Sequence, residues 1–567
     1  MKWIIKPEPE RQTVVRLAND LQIDESLSKL LVLRGIRDLN AAKKFFRPEL
    51  QDLHDPYLMK DMDKAVKRIL EAIEREENIL VFGDYDVDGT TAVSLVTSYL
   101  LRYYPNVATY IPDRYAEGYG ISLQGIDFAA DNEMSLIIAL DCGIKANEKV
   151  AYAQKKGIDF IICDHHLPGD TLPEAFAVLD PKRGDCAYPY KELCGCGIGF
   201  KLIQALAQQK GESVESLVTY LDLVATAIAA DIVPITGENR VLASLGLKVI
   251  NSQPRSGIRA ITEQIKKDKL NITDVVFVIA PRINAAGRMK HGQYAVSLLM
   301  EEDFEKAKIM ATEIEVYNTD RKVADKLIEE EALLQIIENG EERNYTTVVY
   351  REDWHKGVIG IAASRLIETY YRPTLVFTKS NDKLAASARS VIGFDLYEAL
   401  EQCSDYLVQF GGHKYAAGLT VLPENYQKFK QRFEEVVKGS IPDELLLPQI
   451  YVDMQIDLRD LNPKFLRIIK QFEPFGPENM KPVFLATGLV DNGYGRKVGG
   501  DESHLKLNIL NGTDTNTYNA IGFGLGDKYD LIHKGKVFSA VFTVEENVWN
   551  GISSLQLNIK DIRTEEA

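Results

Sequence analysis

Residues 81–92, VFGDYDVDGTTA, place Asp84, Asp86 and Asp88 directly after a short apolar run. Ionised carboxylates held within about 4–6 Å of one another repel strongly, unless some are protonated or a positive charge lies among them. One aspartate would be enough to cap the helix predicted over residues 90–104, because carboxylates favour helix N-termini. Three exceed that need, and the stretch therefore predicts a bound cation at the end of a buried strand.

The same residue types follow other apolar segments of the chain. They are Asp141 after 136–140, Asp164, His165 and His166 after 160–163, and Asp231 after 224–230. Short apolar strands alternate with helices from about residue 60, which is typical of a parallel sheet covered on both faces. Sites in such sheets form beyond the carboxyl ends of the strands, so these side chains are expected at one edge. Imidazole beside carboxylate suits Mn²⁺ better than Ca²⁺, and Mg²⁺ with more water ligands remains open.

The composition indicates a soluble protein of several domains. The chain has 567 residues, whereas single domains usually stop growing at about 250–300. It contains no apolar run near the ~18 residues that a membrane-spanning helix needs, and its N-terminus lacks the pattern of a signal peptide. The net charge of −16 restricts any nucleic-acid contact to a local patch. We therefore expect a cytoplasmic location and no membrane contact.

The six cysteines show no CxxC spacing, which indicates reduced thiols rather than disulfides. The segment Cys194-Gly-Cys196 lacks a second pair of zinc ligands nearby, so we expect a tight glycine-rich turn there.

The rest of the chain divides by its sequence pattern. Residues 294–339 contain neither glycine nor proline, and their later part predicts one long helix, in which about 30 residues would span roughly 45 Å and join two lobes. A second α/β region follows to about residue 439, with strands expected at 347–350 and 374–377. Strand-like runs between Gly, Asn and Asp turns from residue 448 onward predict a small β-barrel.

Two sets of motifs carry a family resemblance. GDYDVDG, LDCG, CDHH and ADIVP, in that order, resemble the four motifs of the DHH phosphoesterase superfamily. RINAAGRM, WHKGVIGIAASRL, ASARS and FGGHKYAAGLTV resemble those of its RecJ branch, including the DHH-associated domain. The resemblance runs from about residue 65 to beyond residue 481, which is most of the chain.

The resemblance implies a domain order. We expect an N-terminal appendage (1–60), a DHH catalytic domain with a parallel sheet (61–300), a connecting long helix (301–340), a DHH-associated substrate-binding α/β domain (341–445) and an OB-fold-like DNA-binding β-barrel (446–567). One departure from the family concerns the entry to the last domain. Glu478 and Met480 stand where a glycine and a proline are usual.

The family also implies an activity, namely hydrolysis of single-stranded DNA from the 5′ end, releasing 5′-mononucleotides in DNA repair and recombination. One or two Mn²⁺ or Mg²⁺ ions would be held by Asp84, Asp86, Asp88, Asp141, His165, His166 and Asp231. Of these, Asp86, Asp141, His165 and Asp231 are expected as direct ligands, while the choice between Asp84 and Asp88 stays open. Asp164 is expected to orient the histidines. Such ions activate a water molecule and offset phosphoryl charge, so no Ser or Cys nucleophile is required.

Substrate contacts are expected from a second group of residues. They are Arg114, Tyr119, Arg282, Asn284, Arg288, His355, Ser387, Arg389, Gly411, Gly412 and His413. Guanidinium groups hold phosphate bidentately, tyrosine stacks on bases, and glycine permits close backbone approach. Two alternatives stay open, since residues 284–287 also fit a tight packing turn and the glycines after His355 also fit packing. In the barrel, the candidates for a strand-binding groove are Tyr494, Arg496, Lys497, His504, Lys506 and Phe523.

Other functions compete with this interpretation. A related DHH enzyme could act on short oligonucleotides or cyclic dinucleotides, and a non-catalytic replication scaffold could share the fold. A P-loop NTPase is excluded, because GDYDVDGTT has no lysine to reach a phosphate. The sequence predicts a monomer that binds single-stranded DNA, and it leaves open protein partners such as a helicase or a single-strand-binding protein.

Overall fold

The computed structural model describes residues 1–265, 267–511, 516–533, 535–549 and 552–564. Two α/β lobes are joined by a long helix, and a β-barrel follows the second lobe. The predicted fold class is confirmed. Within the described ranges, no helix combines the length and the apolar character needed to cross a bilayer.

The first lobe alternates helices and short strands. Its elements are α4 (Met62–Glu74), β2 (Asn78–Gly83), α5 (Val87–Leu101), β3 (Val107–Tyr110), α6 (Leu123–Asp131), β4 (Met134–Leu140), α7 (Asn147–Lys155), β5 (Asp159–Cys163), β6 (Ala177–Leu179), α8 (Gly195–Gln209), α9 (Leu221–Ala230), α10 (Gly237–Ile250), α11 (Ser256–Thr262), α12 (Ile272–Asp274), α13 (Ala280–Met289) and α14 (Gln293–Met300). The apolar segment before Asp231 is thus the helix α9.

The sheet of this lobe is entirely parallel, in the order β3-β2-β4-β5-β6. Helices α4, α5 and α8 pack on one face, and α6 and α7 pack on the other. The strands are buried on both faces, which explains their unbroken apolar runs. Strand order reverses between β2 and β4, and the carboxyl ends of strands at such a switch point form the crevice where ligands bind.

The connecting helix α15 (Phe304–Glu338) is 35 residues long and therefore spans about 52 Å. Asp303 caps its N-terminus by accepting from the amides of Glu305 and Lys306. Its first half packs on α11 and α13 of the first lobe, and its second half packs on the helix Ile359–Thr369 and the strand Thr347–Tyr350 of the second. The long helix predicted from the lack of glycine and proline is confirmed.

The second lobe has a mixed sheet in the order β10-β11-β9-β8-β7. Its elements are β7 (Thr347–Tyr350), α16 (Ile359–Thr369), β8 (Thr374–Ser380), β9 (Lys383–Arg389), α17 (Leu396–Glu401), β10 (Leu407–His413), β11 (Ala416–Val421) and α18 (Tyr426–Ser440). Only β7 and β8 are parallel, and the others pair antiparallel.

The N-terminal segment shares a hydrophobic core with the C-terminal domain. The elements are β1 (Lys2–Ile5), α1 (Arg11–Leu21), α2 (Glu25–Leu33), α3 (Leu39–Phe46), β12 (Gln449–Val452), β13 (Met454–Gln455), α19 (Pro463–Lys470), β14 (Phe484–Asp491), β15 (Arg496–Val498), β16 (His504–Asn511), β17 (Tyr518–Gly522), α20 (Tyr529–Ile532), β18 (Phe538–Trp549) and β19 (Ile552–Thr564). Strands β14, β18, β19, β17 and β16 close a ring, because β14 also pairs with β16. The predicted barrel is therefore present.

The entry to the barrel is fixed by contacts to the other domains. Glu478 has a left-handed φ of 59°, a conformation that glycine adopts at no steric cost. The carbonyl of Met480 accepts from Arg34 at 2.8 Å, and the carbonyl of Pro477 accepts from the amide of Ile235 at 2.9 Å. The two departures from the family pattern thus lie in an ordered segment.

Candidate metal centre and substrate cleft

Strand β2 ends in a turn that brings two aspartates inside the protein. Asp86 caps helix α5 by accepting from the amide of Gly89 at 3.0 Å. Gly89 has to be glycine, because a Cβ there would lie 2.4 Å from the carbonyl oxygen of Asp84. Asp84 is fully buried and accepts from the amide of Gly120 at 3.2 Å through Oδ1. Its other oxygen, Oδ2, has no hydrogen-bond partner among the described residues.

Asp88 is held by the N-terminus of helix α8. Its Oδ2 accepts from the amide of Gly195 at 2.6 Å, and its Oδ1 accepts from the amide of Cys196 at 2.7 Å. Cys194 caps the same helix. A Cβ on Gly195 would lie 2.5 Å from the Cβ of Asp141. The Cys-Gly-Cys segment is therefore the beginning of helix α8 and not the tight turn that the sequence predicted, and its glycine lets α8 approach two carboxylates.

The imidazole of His165 lies among three of the predicted carboxylates. Its Nε2 is 3.2 Å from Asp141 Oδ1, 3.5 Å from Asp231 Oδ2 and 3.8 Å from Asp88 Oδ2. These side chains come from the start of α5 and from the ends of β4, β5 and α9, so four separate segments of the chain meet at one point. Neither ring nitrogen of His165 has a hydrogen-bond partner among the described residues.

Asp164 holds the two histidines in place. Its Oδ1 accepts from the amides of His165 and His166, at 2.8 and 3.2 Å, and lies 2.7 Å from His166 Nδ1. Its Oδ2 accepts from the amide of Ile144 at 2.8 Å. Although burial opposes ionisation, the His166 contact and the Ile144 amide keep the pKa of Asp164 below its ordinary value.

Burial and mutual repulsion raise the pKa of four other carboxylates of the site. Burial, followed by repulsion from Asp86, raises the pKa of Asp84 well above its ordinary value and that of Asp88 to about 6. Burial and then repulsion from Asp88 raise the pKa of Asp141 well above its ordinary value and that of Asp231 to about 9. Burial and the neighbouring His166 lower the pKa of His165 to about 3. Burial therefore favours a neutral imidazole at His165, and a bound cation would favour the ionised form of the carboxylates around it.

A divalent cation fits these residues. Buried oxygen and nitrogen atoms that lack partners face each other across the distances that separate the ligands of one ion. Two overlapping groups have ligand atoms that all lie within 4.8 Å of one another, and they share His165. They are Asp141, His165 and His166, and Asp88, His165 and Asp231. Neutral imidazole with carboxylate oxygen suits Mn²⁺, and carboxylate with water suits Mg²⁺.

Two residues of the centre have unusual backbone conformations. Asp141 and Ile232, the residue after Asp231, both have a left-handed φ of 59°. That region is uncommon for residues with a side chain, and for a β-branched residue such as isoleucine it is strained. The strain aims the neighbouring carboxylates at the same point.

A group of arginines lies where the two lobes meet, with Arg114 and Arg288 on the first lobe and Arg389 on the second. Arg288 donates to the carbonyl of Gly357 at 2.9 Å, and Arg389 donates to the Ser387 hydroxyl at 3.1 Å. Arg114 lies over the ring of Tyr85, 4.5 Å from its centre. None of these arginines has a carboxylate within salt-bridge distance in the described part of the chain.

The arginines converge at the N-terminus of helix α16. A Cβ on Gly360 would lie 2.8 Å from the Ser387 hydroxyl and 3.0 Å from a terminal nitrogen of Arg389. Burial and then repulsion from Arg114 and Arg389 lower the pKa of Arg288 to about 9, and burial and Arg114 also lower that of Arg389. Buried guanidinium groups that repel one another need an anion. A phosphate group satisfies that need, and helix N-termini also favour it.

Comparison with known proteins divides the chain into the same two lobes and barrel as the structure. The chain matches the models for the DHH family N-terminal domain over residues 78–228, the DHHA1 domain over 343–439 and the RecJ OB domain over 452–561. It is 36% identical to the single-stranded-DNA-specific exonuclease RecJ of Bacillus subtilis, and the alignment covers 100% of this chain and 71% of the relative. The chain belongs to the RecJ family. The family predicted from the motifs is confirmed.

Other members of the RecJ family are similar over most of their length. The RecJ exonuclease of Salmonella typhimurium is 32% identical, over 94% of this chain and 95% of the relative. The crystal structure of RecJ from Thermus thermophilus in complex with Mn²⁺ superposes with a TM-score of 0.86 at 27% identity, covering 100% of this chain and 80% of that one. A structure of the same Thermus protein with Mg²⁺ gives a TM-score of 0.80.

The remaining predicted residues of this RecJ-family chain divide between the cleft and the protein interior. Tyr119 lies beside the metal centre, with its hydroxyl 3.2 Å from His166 Nε2. His413 faces His166 across the cleft from the exposed β10–β11 hairpin, next to Gly411 and Gly412. His355 packs edge-on against Tyr115 near the start of α16.

Residues of α13 have different surroundings. Gly287 packs against the carbonyl of Tyr85, so the face of α13 that carries Asn284 and Arg288 is directed toward the β2 turn. Arg282 instead forms a 2.5 Å ion pair with Glu315 of α15 and donates to the carbonyl of Val278. The structure therefore brings Arg288 into the cleft and engages Arg282 in the junction with the long helix.

The predicted barrel residues lie on and just before the β15–β16 hairpin, apart from Phe523, which follows the adjacent strand β17. Arg496 is opposite Lys506 in the register of β15 and β16. His504 packs edge-on against Phe523, which is exposed. Tyr494, just before β15, is 76% exposed. The basic and aromatic side chains are thus close together and accessible.

Some residues of the site escaped the sequence analysis. Asp180 follows strand β6 and is fully buried, with Oδ2 lacking a partner among the described residues. Burial raises its pKa to about 7. The signal was the same as elsewhere, an apolar run that ends in aspartate, over residues 177–180. Gly195 and the amides of α8 gave no such signal, because close approach of two backbones cannot be read from residue spacing.

Proposed function

We infer that this RecJ-family chain is a metal-dependent exonuclease specific for single-stranded DNA. The observation that carries this inference is the meeting of His165 with Asp88, Asp141 and Asp231 at 3.2 to 3.8 Å. Its relatives from Bacillus and Salmonella are named single-stranded-DNA-specific exonucleases, and the Thermus relative binds Mn²⁺ and Mg²⁺. Mn²⁺ or Mg²⁺ is accordingly the cofactor.

Different residues of the chain have different roles in the proposed reaction. Divalent ions bound here would activate a water molecule and offset the charge on the phosphodiester. The ring of His165 is kept neutral by burial, so its nitrogens accept a metal rather than a proton. Asp164 fixes His166, and the α8 amides fix Asp88, so the ligands are preorganised. Tyr119, 53% exposed beside His166, presents an aromatic face to a nucleotide base.

We propose that the arginine cluster binds the terminal 5′ phosphate of the strand. Arg114 and Arg288 of the first lobe repel each other and Arg389 of the second lobe, and Ser387 accepts from Arg389 at 3.1 Å. A strand held there by its end would place an adjacent phosphodiester at the metals. This arrangement supports 5′→3′ degradation with release of 5′-mononucleotides.

We further propose that the exposed β15–β16 hairpin guides the strand toward the cleft, by backbone charge and base stacking. A monomer is sufficient, because both sides of the cleft come from one chain. Work in DNA repair and recombination in the cytoplasm would require a supply of single strands, which a helicase or a single-strand-binding protein provides.

The test is an end-labelled degradation assay on single-stranded and duplex DNA, with Mn²⁺ or with a chelator. The wild-type protein should degrade only the single strand and only with the metal. Asp141→Ala should lower the rate by at least about a thousandfold, because it removes a charge that holds the ions. The exposed Asp170→Ala is the matched control and should keep full activity.

Unchanged degradation by Asp141→Ala would overturn the assignment of the metal centre. Preferential cleavage of a dinucleotide over a long 5′-phosphorylated strand would instead assign the protein to short oligonucleotides.

A further inference from the structure

The connecting helix α15 has apolar residues on two opposite faces. One face is buried against both lobes and includes Ala307, Ala311, Ile314, Ile328, Ala332 and Ile336. The other carries six aliphatic side chains that are each more than half exposed: Ile309 (64%), Val316 (53%), Val323 (64%), Leu327 (51%), Leu334 (58%) and Ile337 (55%). We name this second set the outer stripe.

The spacing of the outer stripe places it on one line along the helix. Ile309, Val316 and Val323 are seven residues apart, and Leu327 and Leu334 repeat that interval four residues later. At about 100° per residue, these five positions lie within roughly 20° of one direction, and Ile337 lies about 60° away. The buried face is centred about 180° from them. The stripe is about 42 Å long, since it extends from residue 309 to residue 337.

Single exposed aliphatic residues are common on protein surfaces, but six of them aligned along one helix are not. Three of the five intervals between them are seven residues, the heptad interval by which one helix packs against another. The packing of α15 within the chain uses the opposite face, so the stripe contributes nothing to joining the lobes.

The charges beside the stripe are of one sign. Five exposed acidic residues lie within about 60° of its centre line: Glu305, Glu313, Asp320, Glu330 and Glu338. No lysine or arginine of α15 lies in that sector. Lys308 and Lys326, about 80° away, contact Glu305 and Glu330 at 3.7 and 3.6 Å. The sector keeps a net negative charge.

The charges beside the outer stripe indicate which kind of molecule can bind to it. Carboxylates repel DNA phosphates, so the stripe is not a continuation of the substrate path. A second copy would bring the same acidic sector against itself, in a chain whose net charge is already −16. A partner surface with apolar residues flanked by basic ones would complement both the outer stripe and its acidic border.

We propose that the outer stripe is a docking site for an amphipathic helix of a partner protein, with apolar residues at heptad spacing and lysine or arginine on both flanks. The partner helix buries its apolar face on the stripe, and its cations pair with the acidic border. Docking there leaves the cleft open, because the stripe faces away from both lobes.

The test uses a designed peptide of about 28 residues, with leucine at heptad positions a and d and lysine at e and g. Its fluorescein-labelled form is titrated with the full-length protein at about 0.15 M salt, where weak nonspecific attraction is screened. Binding is read from fluorescence anisotropy. Two further peptides carry glutamate at e and g, or serine at a and d.

The protein variants distinguish binding at the outer stripe from nonspecific attraction to an acidic protein. Val316→Asp/Val323→Asp changes two exposed stripe residues, and the matched control Val537→Asp/Val548→Asp makes the same change at exposed valines of the barrel. We expect the lysine peptide to bind wild-type and control protein alike and the stripe variant at least tenfold more weakly. The stripe variant should keep its helical circular dichroism and its nuclease rate.

Three results would overturn the proposal. They are no binding of the lysine peptide to wild-type protein, equal binding to the stripe variant, and binding of the serine peptide as tight as that of the leucine peptide. Sedimentation analysis adds a fourth, because a wild-type dimer that Val316→Asp/Val323→Asp converts to a monomer would assign the stripe to self-association.

Discussion

Asp164 is a buried carboxylate whose two oxygens are both engaged by contacts within the protein. Three backbone amides and His166 Nδ1 surround them. These contacts orient the His166 ring and hold the backbone of His165, and ligand orientation contributes strongly to metal affinity.

Asp164→Asn should weaken Mn²⁺ binding by about 10- to 100-fold, because an amide has one acceptor oxygen and cannot accept both from the histidines and from the amide of Ile144. Calorimetric titration with Mn²⁺ measures this directly. Asp170→Asn, an exposed change in the same lobe, serves as the control. Equal Mn²⁺ affinity in the two variants would show that Asp164 has no positioning role.

Gly195 matters because of the space that it leaves. A Cβ there would lie 2.5 Å from the Cβ and 2.7 Å from the Oδ1 of Asp141. Gly195→Ala should therefore displace Asp141 and lower the rate by about a hundredfold. Gly184→Ala, where a Cβ meets nothing within 4 Å, should retain activity. Comparison of the two rates on one substrate checks the prediction, and a fully active Gly195→Ala would contradict it.

The aspartates and histidines that form the centre could be predicted from the sequence, because each follows an apolar segment whose end lies at the same sheet edge. Asp180 carried the same signal and was overlooked. The contribution of Gly195 could not be predicted, since it arises from the approach of α8 to β4, whose sequences are separated by more than 50 residues.

Helix α16 begins beside the arginine cluster that we propose as the phosphate-binding site. Its N-terminus lies against Ser387 and Arg389 at the approach of Gly360. Arg389→Ala should reduce the preference for a 5′-phosphorylated over a 5′-hydroxyl strand by at least about tenfold, because it removes one bidentate donor. Degradation rates on the two strands give the ratio. Arg343→Ala, at an exposed arginine of the same lobe, is the control. An unchanged ratio for Arg389→Ala would place phosphate recognition elsewhere.

Elements with strong local signals were predicted, and elements that depend on distant contacts were not. The helix α15 follows from 35 residues without glycine or proline. Residues 1–60 appeared as a charged appendage. Their helices α1 to α3 instead share a hydrophobic core with the barrel, more than 400 residues away in the chain. No local pattern reveals such a partner.

Arg240 connects three parts of the molecule. From α10 it donates to the carbonyl of Phe45 in the N-terminal segment and to the carbonyls of residues 471–474 after α19. Its guanidinium also lies 3.7 Å from the ring centre of Phe45. This one side chain fixes the barrel relative to the catalytic lobe.

Arg240→Ala should lower the free energy of unfolding by at least about 3 kcal/mol, because it leaves buried carbonyls without donors. Arg240→Lys should be nearly as harmful, since an ammonium group cannot reach five carbonyls. Chemical denaturation measures the loss, and limited proteolysis should show early cleavage near residue 475. Wild-type stability in both variants would contradict the role assigned to Arg240.

The whole account depends on the convergence of side chains from both halves of the first lobe on one ion-binding point. Diffraction from crystals soaked in Mn²⁺, collected at the manganese absorption edge, tests this most directly. We predict an anomalous peak at roughly 2.0–2.3 Å from His165 Nε2 and from oxygens of Asp141 or Asp231. No peak in the space between these three side chains, with Mn²⁺ bound elsewhere on the protein, would contradict it.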